Sequence, residues 1–298
     1  MGYRVIFLTN PAKLSSKNEQ LLIDNGEVTK IPLEDIECIV ADTPQINLSA
    51  RLLAKFAEYA ITFYVTDQGY HPSGVLIPVS RHSRHMTVLR SQIDMTLPTK
   101  KKLWKQIVRQ KIENQAVVLK LCGIEGWGEI DCIKNKVKSG DIENMEAVAA
   151  SKYFRLIFGK TFTRVQENGI NAALNYGYAI LRGTIEKYLV AYGYEPVLGV
   201  FHKSSLNNFN LADDLIEPYR PLVDVFVKRY VSEDEELITA RKAQLINLLN
   251  ANVIIDKRLF SCARAVELTV SSLTSFIQGN RKDLLLPGII DLEQHRYE

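Results

Sequence analysis

Glu146 stands in a segment, residues 144–154, in which almost every other side chain is apolar or small. At helical spacing, positions 146, 149, 150, 153 and 157 fall on one face, which puts this carboxylate in line with Ala149, Ala150, Tyr153 and Ile157. A buried carboxylate without a partner is costly, so it calls for a metal, a cation or a neutralising proton. The alternatives for Glu146 are an arginine partner or a surface position near a helix start. A denser acidic group follows in residues 208–221, where Asp213, Asp214 and Glu217 sit in an apolar frame of Leu211, Leu215, Pro218 and Leu222. Asp214 and Glu217 are three apart and Asp213 and Glu217 four apart, so both pairs share a helix face. Neighbouring carboxylates repel unless a cation lies between them. His202 precedes this group and is the one histidine between His85 and His295. Carboxylates with one imidazole are a reasonable ligand set for Mg²⁺ or Mn²⁺. The competing reading makes the acids helix-start residues with Arg220 as their salt-bridge partner, and His202 a hydrogen-bonded structural residue.

Two kinds of scaffold are expected to position these groups. A chain of 298 residues is more than one ordinary core needs, so two domains are expected. The first ~80 residues read as strands: apolar runs at 5–8, 21–23, 28–33, 36–40, 61–65 and 75–79 are separated by turn pairs such as Asn10-Pro11, Asn25-Gly26 and Gln68-Gly69. One helix interrupts them, with Ser49 as its cap and Leu52, Leu53, Phe56 and Tyr59 on its apolar face. Beyond Pro78 the period becomes helical. Pro98 suits a helix start, and Val108, Ile112, Ala116 and Leu119 form an apolar stripe, with Lys101, Lys105 and Arg109 on a different face. Further helices follow at Leu174-Tyr178-Leu181-Ile185 and at Leu259-Ala263-Val266-Val270-Leu273, and residues 123–140 read as a loop or broken connection. The expected fold class is α+β: a β-rich domain over residues 1–82, then a larger all-helical domain over 83–298. Residues 281–298 stay unassigned, as a tail or a partner contact.

Bulk composition removes several classes. With 46% hydrophobic and 24% charged residues the chain reads as an ordinary soluble protein, with no run of ~18 apolar residues to span a membrane and no expected signal peptide. Its four scattered cysteines form no CxxC pair, which argues against zinc and a disulfide framework and for a reduced cytoplasm. The net charge of +3 hides a local excess: residues 81–111 carry nine Lys and Arg against Asp94 alone. That segment is either a solvated helix face or a phosphate-contacting surface, with Arg81, Arg84, Lys101, Lys105 and Arg109 as candidate contacts.

From Tyr3 to about Phe276 the chain resembles the CRISPR adaptation integrases, the large and universal subunit of the spacer-acquisition machinery. The resemblance is carried by Asn10-Pro11-Ala12-Lys13-Leu14-Ser15, Tyr70-His71-Pro72-Ser73-Gly74, Glu146 through Phe154, Asn171 through Tyr178, His202, and Leu211 through Pro221; the Asn208-Phe209-Asn210-Leu211-Ala212-Asp213-Asp214-Leu215 form is similar to the type II branch. Two departures are mild: Ala147 where many members have glycine, and Asn207-Asn208-Phe209 where type II members show Asn-Pro-Phe. The resemblance implies that Glu146, His202 and Glu217 are metal ligands for Mg²⁺ or Mn²⁺. It implies that Asp214 is a further catalytic acid, and that Arg220, if exposed, joins the DNA contacts. It implies insertion of foreign DNA into a repeat by attack of a 3′-hydroxyl on a phosphodiester. It also implies a homodimer through the β-rich domain and a heterohexamer with a small adaptation subunit. In type II systems the effector nuclease and an accessory subunit can assist. Two other readings keep the residues but change the function: a metal-dependent nuclease that hydrolyses branched DNA, and a non-catalytic DNA-binding scaffold.

Overall fold

The run Ile36–Ala41 is a strand buried along its whole length, as a strand covered on both faces must be. In the computed structural model, which describes residues 2–67, 72–77 and 85–296, it is one of the strands β1 (Arg4–Leu8), β2 (Ala12–Lys17), β3 (Gln20–Asp24), β4 (Val28–Pro32), β5 (Ile36–Ala41), β6 (Ile46–Asn47), β7 (Thr62–Thr66) and β8 (Pro72–Leu76), with helix α1 (Ala50–Glu58) between β6 and β7. They form two sheets, ordered β1-β5-β7-β8 and β4-β3-β2-β6. β5 pairs in parallel with β1 and β7, and β7 with β8 antiparallel. The β2–β3 hairpin turns through Asn18 and Glu19, both left-handed with φ of 51° and 56°, the backbone a two-residue hairpin requires. Ser49 caps α1 by accepting from the Leu52 amide, and Leu52 and Phe56 go into the core beside Leu21, Leu33, Ile39 and Ile61. This unit spans residues 1–81.

The second unit, residues 82–298, contains helices α2 (His85–Ile93), α3 (Leu97–Leu121), α4 (Trp127–Lys134), α5 (Met145–Phe158), α6 (Gly169–Ala191), α7 (Asn210–Ile216), α8 (Arg220–Tyr230) and α9 (Thr239–Ile246), then strands β9 (Ala251–Ile255) and β10 (Arg258–Ser261), helix α10 (Cys262–Ile277) and strand β11 (Gly288–Gln294). Thr96 caps α3 and Pro98 lies in its first turn; Asn168 and Ser261 cap α6 and α10. α3 buries Leu103, Trp104, Ile107, Val108, Ile112 and Leu119, while Cys38 in the first unit and Cys262 in the second are fully buried. Among the described residues no helix is long and apolar enough to cross a membrane.

Three expectations about this unit are corrected. It is not all helical: β10, β9 and β11 form a three-stranded antiparallel sheet. Its hairpin turns through Asp256 and Lys257 at φ of 47° and 65°, a turn without the glycine that marks such hairpins in a sequence. Leu259, which fits the helical spacing of α10, belongs to β10. Residues 123–140 hold α4, which buries Ile130 and Ile133, and the unassigned C-terminal stretch supplies β11.

Candidate active site

Glu146 occupies the first turn of α5, and a strained turn delivers it there. Gly140, Asp141 and Asn144 are left-handed, with φ of 73°, 50° and 52°. Asp141 then accepts from the backbone amides of Met145 (2.9 Å) and Glu146 (3.0 Å), closing the open helix end. The inward face below Glu146 is formed by buried Ala149, Tyr153 and Ile157. Opposite lies Lys111 of α3, whose ammonium pairs with both Glu146 Oε1 and Glu217 Oε2 and is almost fully buried. Burial works against the lysine's charge, but Glu217 and Glu146 outweigh it and raise its pKa above the ordinary value. Lys111 closes the basic stretch of the sequence, yet it is no part of a cationic surface; it is the cation between two acids.

Glu217 follows the last residue of α7 and is buried. Three residues on, Arg220 donates from Nε to Glu217 Oε1 at 2.9 Å. Burial pushes the Glu217 carboxyl up, yet Arg220 and Lys111 together hold it down at about 2. Its Oε2 makes the ion pair with Lys111 but no well-formed hydrogen bond. The neighbouring Pro218 carbonyl is fixed by Asn114 of α3 at 2.7 Å, the same side chain that takes the Pro287 carbonyl at 2.8 Å. Arg220 therefore takes the salt-bridge role: its side chain is 26% exposed and its guanidinium lies 4.6 Å from the centre of the Tyr178 ring.

His202 and Asp214 form a second, adjoining group. Asp214, fully buried on α7, accepts from three consecutive amides, Val200 (2.5 Å), Phe201 (3.0 Å) and His202 (3.1 Å), and bonds His202 Nδ1 at 2.8 Å. With Nδ1 engaged, Nε2 is the ring nitrogen left for a ligand, a carboxylate–histidine arrangement that fixes tautomer and orientation. Asp214 is thus a group that holds the imidazole. Its hydrogen bond is the largest influence on His202 and raises the imidazole pKa against the opposing effect of burial. Gly199 is required at the approach, because a Cβ there would lie 2.3 Å from the His202 carbonyl oxygen. Trp104 of α3 stacks on Phe201 and meets the His202 ring edge-on at 5.9 Å.

The expected ligands are drawn together unevenly. Glu146 and Glu217 share the Lys111 ammonium; among the described residues no three His, Cys, Asp or Glu side chains surround a common point. His202 is near enough to Glu217 that each influences the other's ionisation. In residue type this donor set fits a divalent cation: two carboxylates already gathered around positive charge and an imidazole nitrogen beside them. Asp213 turns to Asn207 (2.7 Å) and Arg182 rather than to Glu217. Lys101 and Lys105 are partly exposed and Arg109 exposed along α3; Arg81 and Arg84 lie outside the described residues. Sequence reasoning misses the roles of Lys111, Trp104 and Asp141. For Lys111 a signal is present, since it lies two residues past Arg109, about 200° around the helix from the Lys101-Lys105-Arg109 face.

The same architecture occurs in solved structures. A casposase bound to its integration product superimposes with a TM-score of 0.76 at 17% identity over 95% of this chain and 92% of that one. A chain of a Cas6-RT-Cas1–Cas2 complex does so with a TM-score of 0.70 at 17% identity, over 97% of this chain and 36% of the other. The chain belongs to the CRISPR associated protein Cas1 family, whose model matches residues 5–236. Across its full length it is 40% identical to the full-length CRISPR-associated endonuclease Cas1 of Neisseria meningitidis serogroup C (strain 8013).

Proposed function

We propose that this protein is a divalent-metal-dependent DNA integrase that inserts foreign DNA fragments into a CRISPR array. The observation that carries the reading is the pair Glu146 and Glu217 meeting on the Lys111 ammonium, beside a carboxylate-held imidazole, in a chain of the Cas1 family. Glu146, Glu217 and His202 Nε2 would hold the ion. When bound there, Mg²⁺ or Mn²⁺ supplies Lewis-acid stabilisation of charge on the phosphoryl and attacking or leaving oxygens. The chain's own groups do the rest. Asp214 keeps the imidazole in one tautomer and one orientation. Lys101, Lys105 and Arg109 neutralise backbone phosphates and position the duplex without reading its sequence. The incoming 3′-hydroxyl gives its proton to water and forms a new bond to phosphorus, while the bond from that phosphorus to the old 3′-oxygen breaks and that oxygen takes up a proton from water; no covalent enzyme intermediate is needed. As partners we infer double-stranded DNA, a second copy of the chain, and a small adaptation subunit, in keeping with the Cas1–Cas2 complex among the structural neighbours.

The name of the meningococcal relative supports a second reading, in which water replaces the 3′-hydroxyl and the same site hydrolyses DNA. Duplexes ending in 3′-hydroxyl or 3′-dideoxy nucleotides separate the two. Integration requires the hydroxyl; hydrolysis is indifferent to it. In Mn²⁺, Glu146→Ala and His202→Ala are expected to abolish joining while leaving much duplex binding intact, and normal joining by either variant would overturn the assignment.

A further inference from the structure

Behind the site lies a buried polar group that the proposed chemistry does not use. Asp224 of α8 is 1% exposed and accepts from the hydroxyls of Tyr153 (3.0 Å) and Tyr178. Tyr153 is on α5, seven residues beyond Glu146 and so on the same helix face. Tyr178 is on α6, and its ring lies beneath the Arg220 guanidinium, whose Nε holds Glu217. Asp224 itself is one helical turn beyond Arg220. Its carboxylate therefore joins the helix that carries Glu146, the helix that supports Arg220, and the helix that begins with Arg220.

Burial keeps both phenols far above the ordinary tyrosine range, so they remain donors, and pushes the Asp224 carboxyl up to about 6 despite their bonds. A buried carboxylate held by two hydroxyls is an expensive way to fill a core, where apolar side chains pack at no such desolvation cost. What an apolar group cannot do is fix two aromatic rings by direction as well as by contact.

We propose that Asp224 is a positioning residue: through Tyr153 it sets the place of the Glu146 helix, and through Tyr178 and Arg220 it sets the orientation of the Glu217 carboxylate. The inference rests on the reading of Glu146 and Glu217 as the cation-binding pair. It acts at a distance from DNA, so it predicts loss of ion binding and rate without loss of duplex affinity.

The test uses the full-length protein with Tyr178→Phe, Tyr153→Phe, Asp224→Asn and Asp224→Ala, following Mn²⁺ binding by calorimetry, single-turnover strand joining at saturating DNA, duplex affinity and the thermal midpoint. Tyr178→Phe keeps the ring under Arg220 and deletes only its tie to Asp224. It is expected to lower Mn²⁺ affinity and joining rate each about tenfold, the usual effect of removing an outer support of a metal site, with duplex affinity near wild type and a thermal midpoint lowered only as far as the loss of one buried hydrogen bond requires. Asp224→Asn, which keeps an acceptor of the same shape, should retain more of both than Asp224→Ala. Wild-type Mn²⁺ binding and joining by Tyr178→Phe would overturn the proposal, as would losses that merely follow the amount of folded protein. Glu217→Gln is the control for the underlying reading: if it joins strands normally, both fall; if it is inactive while Tyr178→Phe is normal, only the positioning role falls.

Discussion

The indole of Trp104 and the ring of Phe201 lie parallel, 4.2 Å between centroids and 2° apart. Phe201 is otherwise half exposed, so this stack is what fastens the segment that presents His202 to α3. Phe201→Ala is expected to destabilise the protein by about 1 kcal/mol, the scale of one aromatic pair, and to slow strand joining by loosening His202. Urea unfolding measures the first effect; a variant as stable and as active as wild type would show that the stack is incidental.

Lys111 neutralises Glu146 and Glu217 when no other cation is bound. Removing one partner of a buried pair costs about 3 kcal/mol, so Lys111→Met should lower the metal-free thermal midpoint markedly. The two carboxylates left facing each other should then take a divalent ion more readily. Mn²⁺ is expected to raise the melting temperature more in Lys111→Met than in wild type. An equal or smaller shift would mean the lysine does not compete for that position.

Asp224 gives a pH dependence whose sign follows from its elevated pKa. An ordinary aspartate titrates near 3.9, whereas burial moves this one to about 6. Between those values the unfolded chain has released the proton and the folded chain retains it, so stability falls as pH rises through that window and is level above it. The loss is at most about 3 kcal/mol for a displacement of this size. Asp224→Asn cannot ionise and should lack the decline, so the stability difference between wild type and variant should shift in the variant's favour from pH 4 to pH 6. Unfolding curves with a pH-independent difference would refute it.

The cationic face of α3 has a distinct signature. Replacing Lys101, Lys105 and Arg109 together should weaken duplex binding across sequences alike. The slope of log affinity against log salt should become shallower by about one for each phosphate that is no longer neutralised. Mn²⁺ binding, measured without DNA, should not change. A salt slope equal to wild type would remove this face from the DNA path.

Much of this architecture is legible in the residues because it follows from local rules. The buried strand Ile36–Ala41 is a continuous apolar run, Ser49 sits where a cap belongs, and the α3 stripe from Val108 to Leu119 keeps its period. The hairpin of β9 and β10 is not legible, since Asp256-Lys257 carries no turn signature and Leu259 fits the spacing of the helix that follows. Within the site, Glu146, His202, Asp214 and Glu217 stand out by their apolar surroundings. The role of Lys111 does not, because a lysine in a basic stretch looks the same whether it meets phosphate or carboxylate, whereas Arg220, alone among acids and three residues from Glu217, is offered by its spacing as a salt-bridge partner. Only the three-dimensional meeting of α3, α5 and α7 assigns Lys111 to the acids.

One helix gauges both halves of the site. Trp104, which steadies the histidine, and Lys111, which spans the glutamates, are seven residues apart on α3, a span of about 10.5 Å along the axis at two turns. Because a helix is stiff over that length, the imidazole and the carboxylates share a single yardstick and move as one when α3 shifts. A kink between positions 104 and 111 would leave each half intact and their separation wrong.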